Sequence, residues 1–135
     1  MIKATHSLRV RYAETDPMKY VYYGNYATYL EVARVELLRH IGISYDEIEK
    51  RGIWLPVSEY KIKYIKPAFY DEELKIEVSI KQRPGVRIVF DYEIYNEAQE
   101  KITQASTVLF FLDSQKKKII HCPDWIMEYM KVYFP

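Results

Sequence analysis

The chain is poor in the residues that punctuate and staple small proteins. Of 135 residues, only four are glycine and one is cysteine. A single cysteine, Cys122, excludes an internal disulfide and suits a reducing compartment, so a cytoplasmic location is expected. Neither sign of charge is in excess. Twenty basic and 19 acidic residues leave a formal net charge of +1, which offers no field to draw in nucleic acid or an anionic membrane. Long apolar runs are missing as well. The longest charge-free run near the front, Tyr20–Leu30, is too short to span a bilayer and contains Gly24 and Asn25. No basic-then-apolar leader precedes it, so membrane insertion is not expected. Neither G-x-x-x-x-G-K nor G-x-G-x-x-G occurs, and no nucleotide cofactor is expected. No serine stands in G-x-S-x-G. His121-Cys122 is a lone metal-like pair without a second pair at ligand spacing, so no metal is expected either.

What the chain has in quantity is tyrosine, 14 residues of it, and clear periodicity. THSLRVRYAET alternates, with Leu8, Val10 and Tyr12 against Arg9, Arg11 and Ala13, and predicts a half-buried strand. NYATYLEVARVELLRHIG places Tyr26, Tyr29, Leu30, Ala33, Leu37 and Ile41 at helical spacing, with Asn25 as N-cap and Gly42 as the stop. At 1.5 Å per residue this helix is about 24 Å long, enough to cross a small domain. Its charged members Glu31, Arg34 and Glu36 read as a solvated or subunit-facing series. SYDEIEKRG predicts a short helix capped by Ser44. The helix-turn-helix rhythm around Gly42 does not point to DNA, because that second element holds more acids than bases.

Four alternating runs follow, joined by hairpin-length connections, and a last amphipathic helix is predicted from Pro123. No linker or repeat divides the chain, so residues 1–135 are expected to form one domain of about the size a single core supports. The class is α+β: a five-stranded antiparallel sheet with one long helix to cover it. Polar strand faces and an exposed edge invite a second copy.

The segment ETDPMKYVYYGNY, residues 14–26, concentrates the chemistry. Asp16 before Pro17 is either a turn-former or a reactive carboxylate. The second reading needs donors for an oxyanion and an apolar channel, and both are local. Peptide N–H groups around Tyr23, Gly24 and Asn25 lie at the start of the long helix, where unpaired donors and a partial positive charge favour a developing negative charge. Gly24 permits close approach to the backbone. Tyr20, Tyr22, Tyr23 and Tyr26 supply flat apolar walls. Lys61, Lys63, Lys66, Arg83, Arg87 and Lys116–Lys118 are candidates for a polyanionic ligand, none preferred.

RYAETDPMKYVYYGNYATYLEVARVELLR and the later PVSEYKIKYIKPAFYDEELKIEV resemble the 4-hydroxybenzoyl-CoA thioesterase family, most closely its small Tol-Pal-associated branch of hotdog-fold acyl-CoA thioesterases. The likeness covers nearly the whole chain. It implies a hotdog fold, with the sheet wrapped around one central helix, and hydrolysis of an acyl-CoA thioester without cofactor. It also implies a homodimer or dimer-of-dimers tetramer with sites between subunits. On the matching positions it implies that Asp16 is the catalytic carboxylate, that Tyr23 lends its backbone N–H to the thioester carbonyl, and that Tyr12 lies close to the aspartate. The chain departs from the family twice. Tyr23 stands where the branch often has histidine, and Met18-Lys19-Tyr20 stand where small residues such as Ala-Gly-Gly are usual. The rival expectation is a non-catalytic module that binds acyl-CoA or a protein partner.

Overall fold

The computed structural model describes residues 1–135. β1 (Ile2–Arg9) leads through a tyrosine-rich loop to α1 (Tyr26–His40), α2 (Tyr45–Lys50) and the two-residue β2 (Ile53–Trp54). The long strands β3 (Val57–Tyr64), β4 (Glu73–Ile80), β5 (Arg87–Tyr95) and β6 (Lys101–Asp113) come next. A short β7 (Lys118–Ile120) and α3 (Asp124–Met130) close the chain.

Five long strands form one antiparallel sheet in the order β1-β4-β5-β6-β3, while β2 and β7 pair only with the last residues of β6. β6 has 13 residues and pairs with β5 and β3 over the same stretch, so those two strands flank it. Register follows side-chain period: Leu74, Ile76, Val78 and Ile80 are all buried on β4, and Ile88, Phe90, Tyr92 and Ile94 on β5. α1 places Tyr26, Tyr29, Leu30, Ala33 and Leu37 against them, all at most 3% exposed. This is the expected hotdog arrangement, a curled sheet around one long helix. α1 packs over β1 and β4 and leaves part of β3 open, where Tyr60 and Tyr64 remain 40% and 46% exposed. No helix is long and apolar enough to cross a membrane.

The structure differs from the sequence pattern at four places. β1 ends at Arg9, because Tyr12–Glu14 turn into a 3₁₀ helix. The alternation that placed Tyr12 inward fails there: Tyr12 is 72% exposed and Glu14 is buried. Asn25 precedes α1 as expected, yet its amide caps nothing. A 3₁₀ turn over Tyr23–Asn25 runs straight into α1, Asn25 is already helical at φ −82°, and its Nδ2 donates instead to the Glu14 carbonyl at 2.8 Å. Arg34 is not part of a solvated series but is buried, with its Nε unpaired. Finally, β2 and β7 extend the five-stranded sheet. Ser44 and Gly42 behave as their types require. The Ser44 hydroxyl accepts the Glu47 N–H, and Gly42 adopts φ +99° after α1.

Candidate active site

The loop between β1 and α1 folds on Asp16. The Asp16 N–H donates to the Tyr20 carbonyl at 2.8 Å, and its own carbonyl accepts the Lys19 N–H at 2.8 Å. Its Oδ1 accepts the N–H groups of Met18 at 2.9 Å and Tyr20 at 3.2 Å. The turn-former reading therefore holds for one carboxylate oxygen. Oδ2 has no partner in the chain and stays free. Lys19 sits at φ +65°, a conformation that suits glycine and strains other residues by about 1–2 kcal/mol. A glycine would take this conformation without that strain.

Val21 ties the returning strand to the sheet side through its N–H to the Ala68 carbonyl at 2.9 Å. The Tyr22 N–H then donates to the Glu14 carbonyl at 2.9 Å, and the Asn25 N–H to the Tyr22 carbonyl at 2.9 Å. Between them, the N–H groups of Tyr23 and Gly24 have no acceptor anywhere in the chain, because they open the 3₁₀ turn that feeds α1. Space at Gly24 is limited by one side chain. A Cβ would come within 2.7 Å of Tyr22 Cε2, so any larger residue must push that ring aside.

A cavity of about 500 Å³ opens beside these groups, lined by Asp16, Tyr20–Tyr23, Tyr26 and Tyr64–Pro67. Seven of its ten lining residues are hydrophobic. Its walls are braced by aromatic pairs, Tyr26 with Tyr64 at 5.1 Å and Tyr20 with Phe69 at 5.1 Å, both edge-on. Hollows of about 550 and 600 Å³ elsewhere are lined almost wholly by charged and polar residues. They lack the apolar walls a small-molecule site normally has. Burial holds the Tyr26 phenol above its ordinary pKa.

Of the residues singled out from sequence, the cavity brings together Asp16, Tyr20, Tyr22, Tyr23 and Tyr26. Gly24 and Asn25 follow Tyr23 in the chain but are not among the lining residues, and the Asn25 N–H and Nδ2 are spent on the Tyr22 and Glu14 carbonyls. Tyr12 is not among the lining residues and packs edge-on against Tyr70 at 5.6 Å. Among the candidate cations, only Lys66 reaches the cavity, and its ammonium is already paired with Glu100.

Sequence reasoning missed Glu14. Its carboxylate accepts the Arg11 N–H at 2.8 Å, the Arg11 guanidinium at 2.7 and 3.0 Å, and the Tyr29 hydroxyl at 2.8 Å. Burial pushes the Glu14 carboxyl upward, but Arg11 and the Tyr29 hydroxyl outweigh that and hold it below its usual range. The available signal was the R-x-x-E spacing of Arg11 and Glu14, which resembles a capping box. Tyr64, Ile65 and Pro67 were also missed as cavity residues, because nothing local ties them to residues 16–26.

A family model described as thioesterase-like superfamily matches residues 10–130. The chain belongs to that superfamily. It is 37% identical over 128 residues to YneP of Bacillus subtilis, provisionally named an acyl-CoA thioesterase, covering 92% of this chain and 93% of that one. It is 30% identical over 111 residues to YbgC of Escherichia coli, named an acyl-CoA thioester hydrolase, covering 82% and 83%. The structure of a DHNA-CoA thioesterase from Staphylococcus aureus superposes with a TM-score of 0.91 at 39% identity, over 98% of this chain and 92% of that one.

Proposed function

We propose that this protein is an acyl-CoA thioesterase in which Asp16 and the N–H groups of Tyr23 and Gly24 form the reactive centre. One observation carries the reading. Asp16, with one carboxylate oxygen unpaired, and Tyr23 line the one apolar cavity among the larger hollows, and the N–H groups of Tyr23 and its neighbour Gly24 are unpaired. The named relatives support it.

The chemistry needs little more. A thiol has a pKa of about 8.5, so a thiolate departs with little help from an acid. The thioester carbonyl oxygen would accept from Tyr23 and Gly24, where the loss of a single oxyanion donor typically costs about 3 kcal/mol in the barrier. Asp16 Oδ2 can add to the carbonyl carbon. Collapse of the tetrahedral intermediate then breaks the C–S bond, expels CoA as thiolate and leaves an acyl-aspartyl anhydride that water cleaves. Alternatively, Oδ2 takes a proton from a water that adds to the same carbon, and the same C–S bond breaks. Either route releases a carboxylate and CoA thiol. Tyr20, Tyr22, Tyr23, Tyr26 and Tyr64 would enclose the acyl group and exclude water from it.

The same reading includes one domain over residues 1–135, a cytoplasmic location and assembly as a homodimer or dimer of dimers. Assembly is supported by β3, which has one unpaired edge and carries Val57, Tyr60 and Tyr64 exposed at 40–46%. The test is a panel of aromatic, short and long acyl-CoA esters with a thiol-reactive dye. Free CoA should appear with at least one ester class. Tight acyl-CoA binding without thiol release across the panel would replace the enzyme with a binding module.

A further inference from the structure

Glu14 takes no part in the chemistry proposed above, yet it holds more partners than any other side chain near the site. It lies two residues before Asp16 in the 3₁₀ turn, with its side chain 11% exposed. Oε1 accepts the Arg11 N–H and the Tyr29 hydroxyl, both at 2.8 Å, and Oε2 accepts Nε and Nη2 of Arg11. Its main-chain carbonyl accepts two further donors, the Tyr22 N–H at 2.9 Å and the Asn25 Nδ2 at 2.8 Å. Those two residues bracket Tyr23 and Gly24. Tyr29 belongs to α1, which that segment feeds.

One residue thus grips three pieces. Its backbone leads to Asp16, its carbonyl holds the segment with the free N–H groups, and its carboxylate is bolted to α1 through a buried hydroxyl. An apolar side chain in its place would leave the buried Tyr29 hydroxyl and the Arg11 N–H without their acceptor, so the carboxylate is what joins the loop to α1. We infer that Glu14 is a positioning residue, which fixes Asp16 relative to the Tyr23 and Gly24 donors by clamping their common loop to α1. The inference rests on the thioesterase reading. Catalytic groups must be held within about 0.5 Å of their working geometry, and a displacement of about 1 Å can lower turnover roughly 100-fold.

The experiment compares wild type, Glu14→Ala, Glu14→Gln and Tyr29→Phe in steady-state hydrolysis of one accepted acyl-CoA, with the folded fraction measured by circular dichroism. Glu14→Ala should lower kcat about 100-fold and leave KM within about 3-fold. Glu14→Gln keeps an amide oxygen for Tyr29 and for the Arg11 N–H, and should recover about 10-fold of that loss. Tyr29→Phe removes one hydroxyl from the clamp and should lower kcat about 5-fold. A purely structural Glu14 would depress the melting temperature and leave kcat per folded molecule unchanged, which would overturn the inference. If Glu14→Ala does not fold, unchanged kcat in Tyr29→Phe overturns it equally. A wild type that releases no CoA from any thioester overturns the function as well, whereas an active wild type with unaffected variants removes only the positioning role.

Discussion

Glu14 and Asp16 are carboxylates two residues apart on one loop, and their surroundings differ in kind. Glu14 is buried, and both of its oxygens are saturated by Arg11 and Tyr29. Asp16 is half-buried and uses one oxygen to hold its own turn, while the other has no partner, and the residue lines a cavity of about 500 Å³. A carboxylate whose lone pairs are all committed can hold a structure together but has nothing left to offer a substrate. One that is anchored by half and free by half is both placed and available. Hydrogen-bond occupancy, more than burial, separates the two roles.

The comparison breaks most readily at Asp16. In Asp16→Asn the amide oxygen can still accept from Met18 and Tyr20, so the turn should persist and the melting temperature should stay within a few degrees. Turnover of acyl-CoA should fall by at least about 100-fold, followed by dye-coupled thiol release. Comparable activity in that variant would make Asp16 only a turn-former.

Gly24→Ala tests the donor side of the site. The new Cβ would come within 2.7 Å of Tyr22 Cε2 and displaces a ring that lines the cavity. The expected result is about a 10-fold fall in kcat/KM with the fold unchanged by circular dichroism.

Acid titration sharpens the contrast from the Glu14 side. Its folded-state pKa lies below the ordinary 4.5, so the stability it contributes is complete above that value. It is lost as pH falls through the lower folded pKa. Urea unfolding of wild type should therefore weaken below about pH 4.5 more steeply than that of Glu14→Gln, which has no such proton to bind. Parallel curves would contradict the saturated ion pair.

Arg34 gives the smallest expected effect and the converse case. It is 8% exposed, its Nε is unpaired and it makes no ion pair in the chain. Its charge acts instead on the Tyr45 and Tyr92 phenols, opposing the upward push of burial on both. Arg34→Met should change the unfolding free energy of the isolated chain by no more than about 1 kcal/mol, in the stabilising direction if either. A loss above about 2 kcal/mol would contradict the absence of a counter-charge for Arg34 within the chain.

The long elements were legible because they repeat. α1, β4, β5 and β6 show periods of 3.6 and 2 over 8 to 15 residues, and burial follows those periods closely, whereas β3 alternates in sequence yet has Val57, Tyr60 and Tyr64 exposed. Asp16, the tyrosine walls and the donors around Tyr23 and Gly24 were legible because they lie within 11 residues and belong to a recognisable motif. What escaped was set by contacts across the chain. The inward turn of Glu14 depends on Tyr29, 15 residues away, and alternation alone put Tyr12 in its place. Tyr64–Pro67 join the cavity only because Val21 and Tyr20 bridge to Ala68 and Phe69. Arg34 is buried where its charge reaches Tyr45 of α2 and Tyr92 of β5, which no helical period foretells.

The most direct measurement is a crystal structure of Asp16→Asn with an uncleaved acyl-CoA. The thioester oxygen should lie about 3 Å from the Tyr23 and Gly24 nitrogens, its carbonyl carbon beside the residue 16 side chain and its acyl group among the tyrosines. An intact thioester lodged in one of the polar hollows, or with its oxygen turned away from those two nitrogens, would contradict the account.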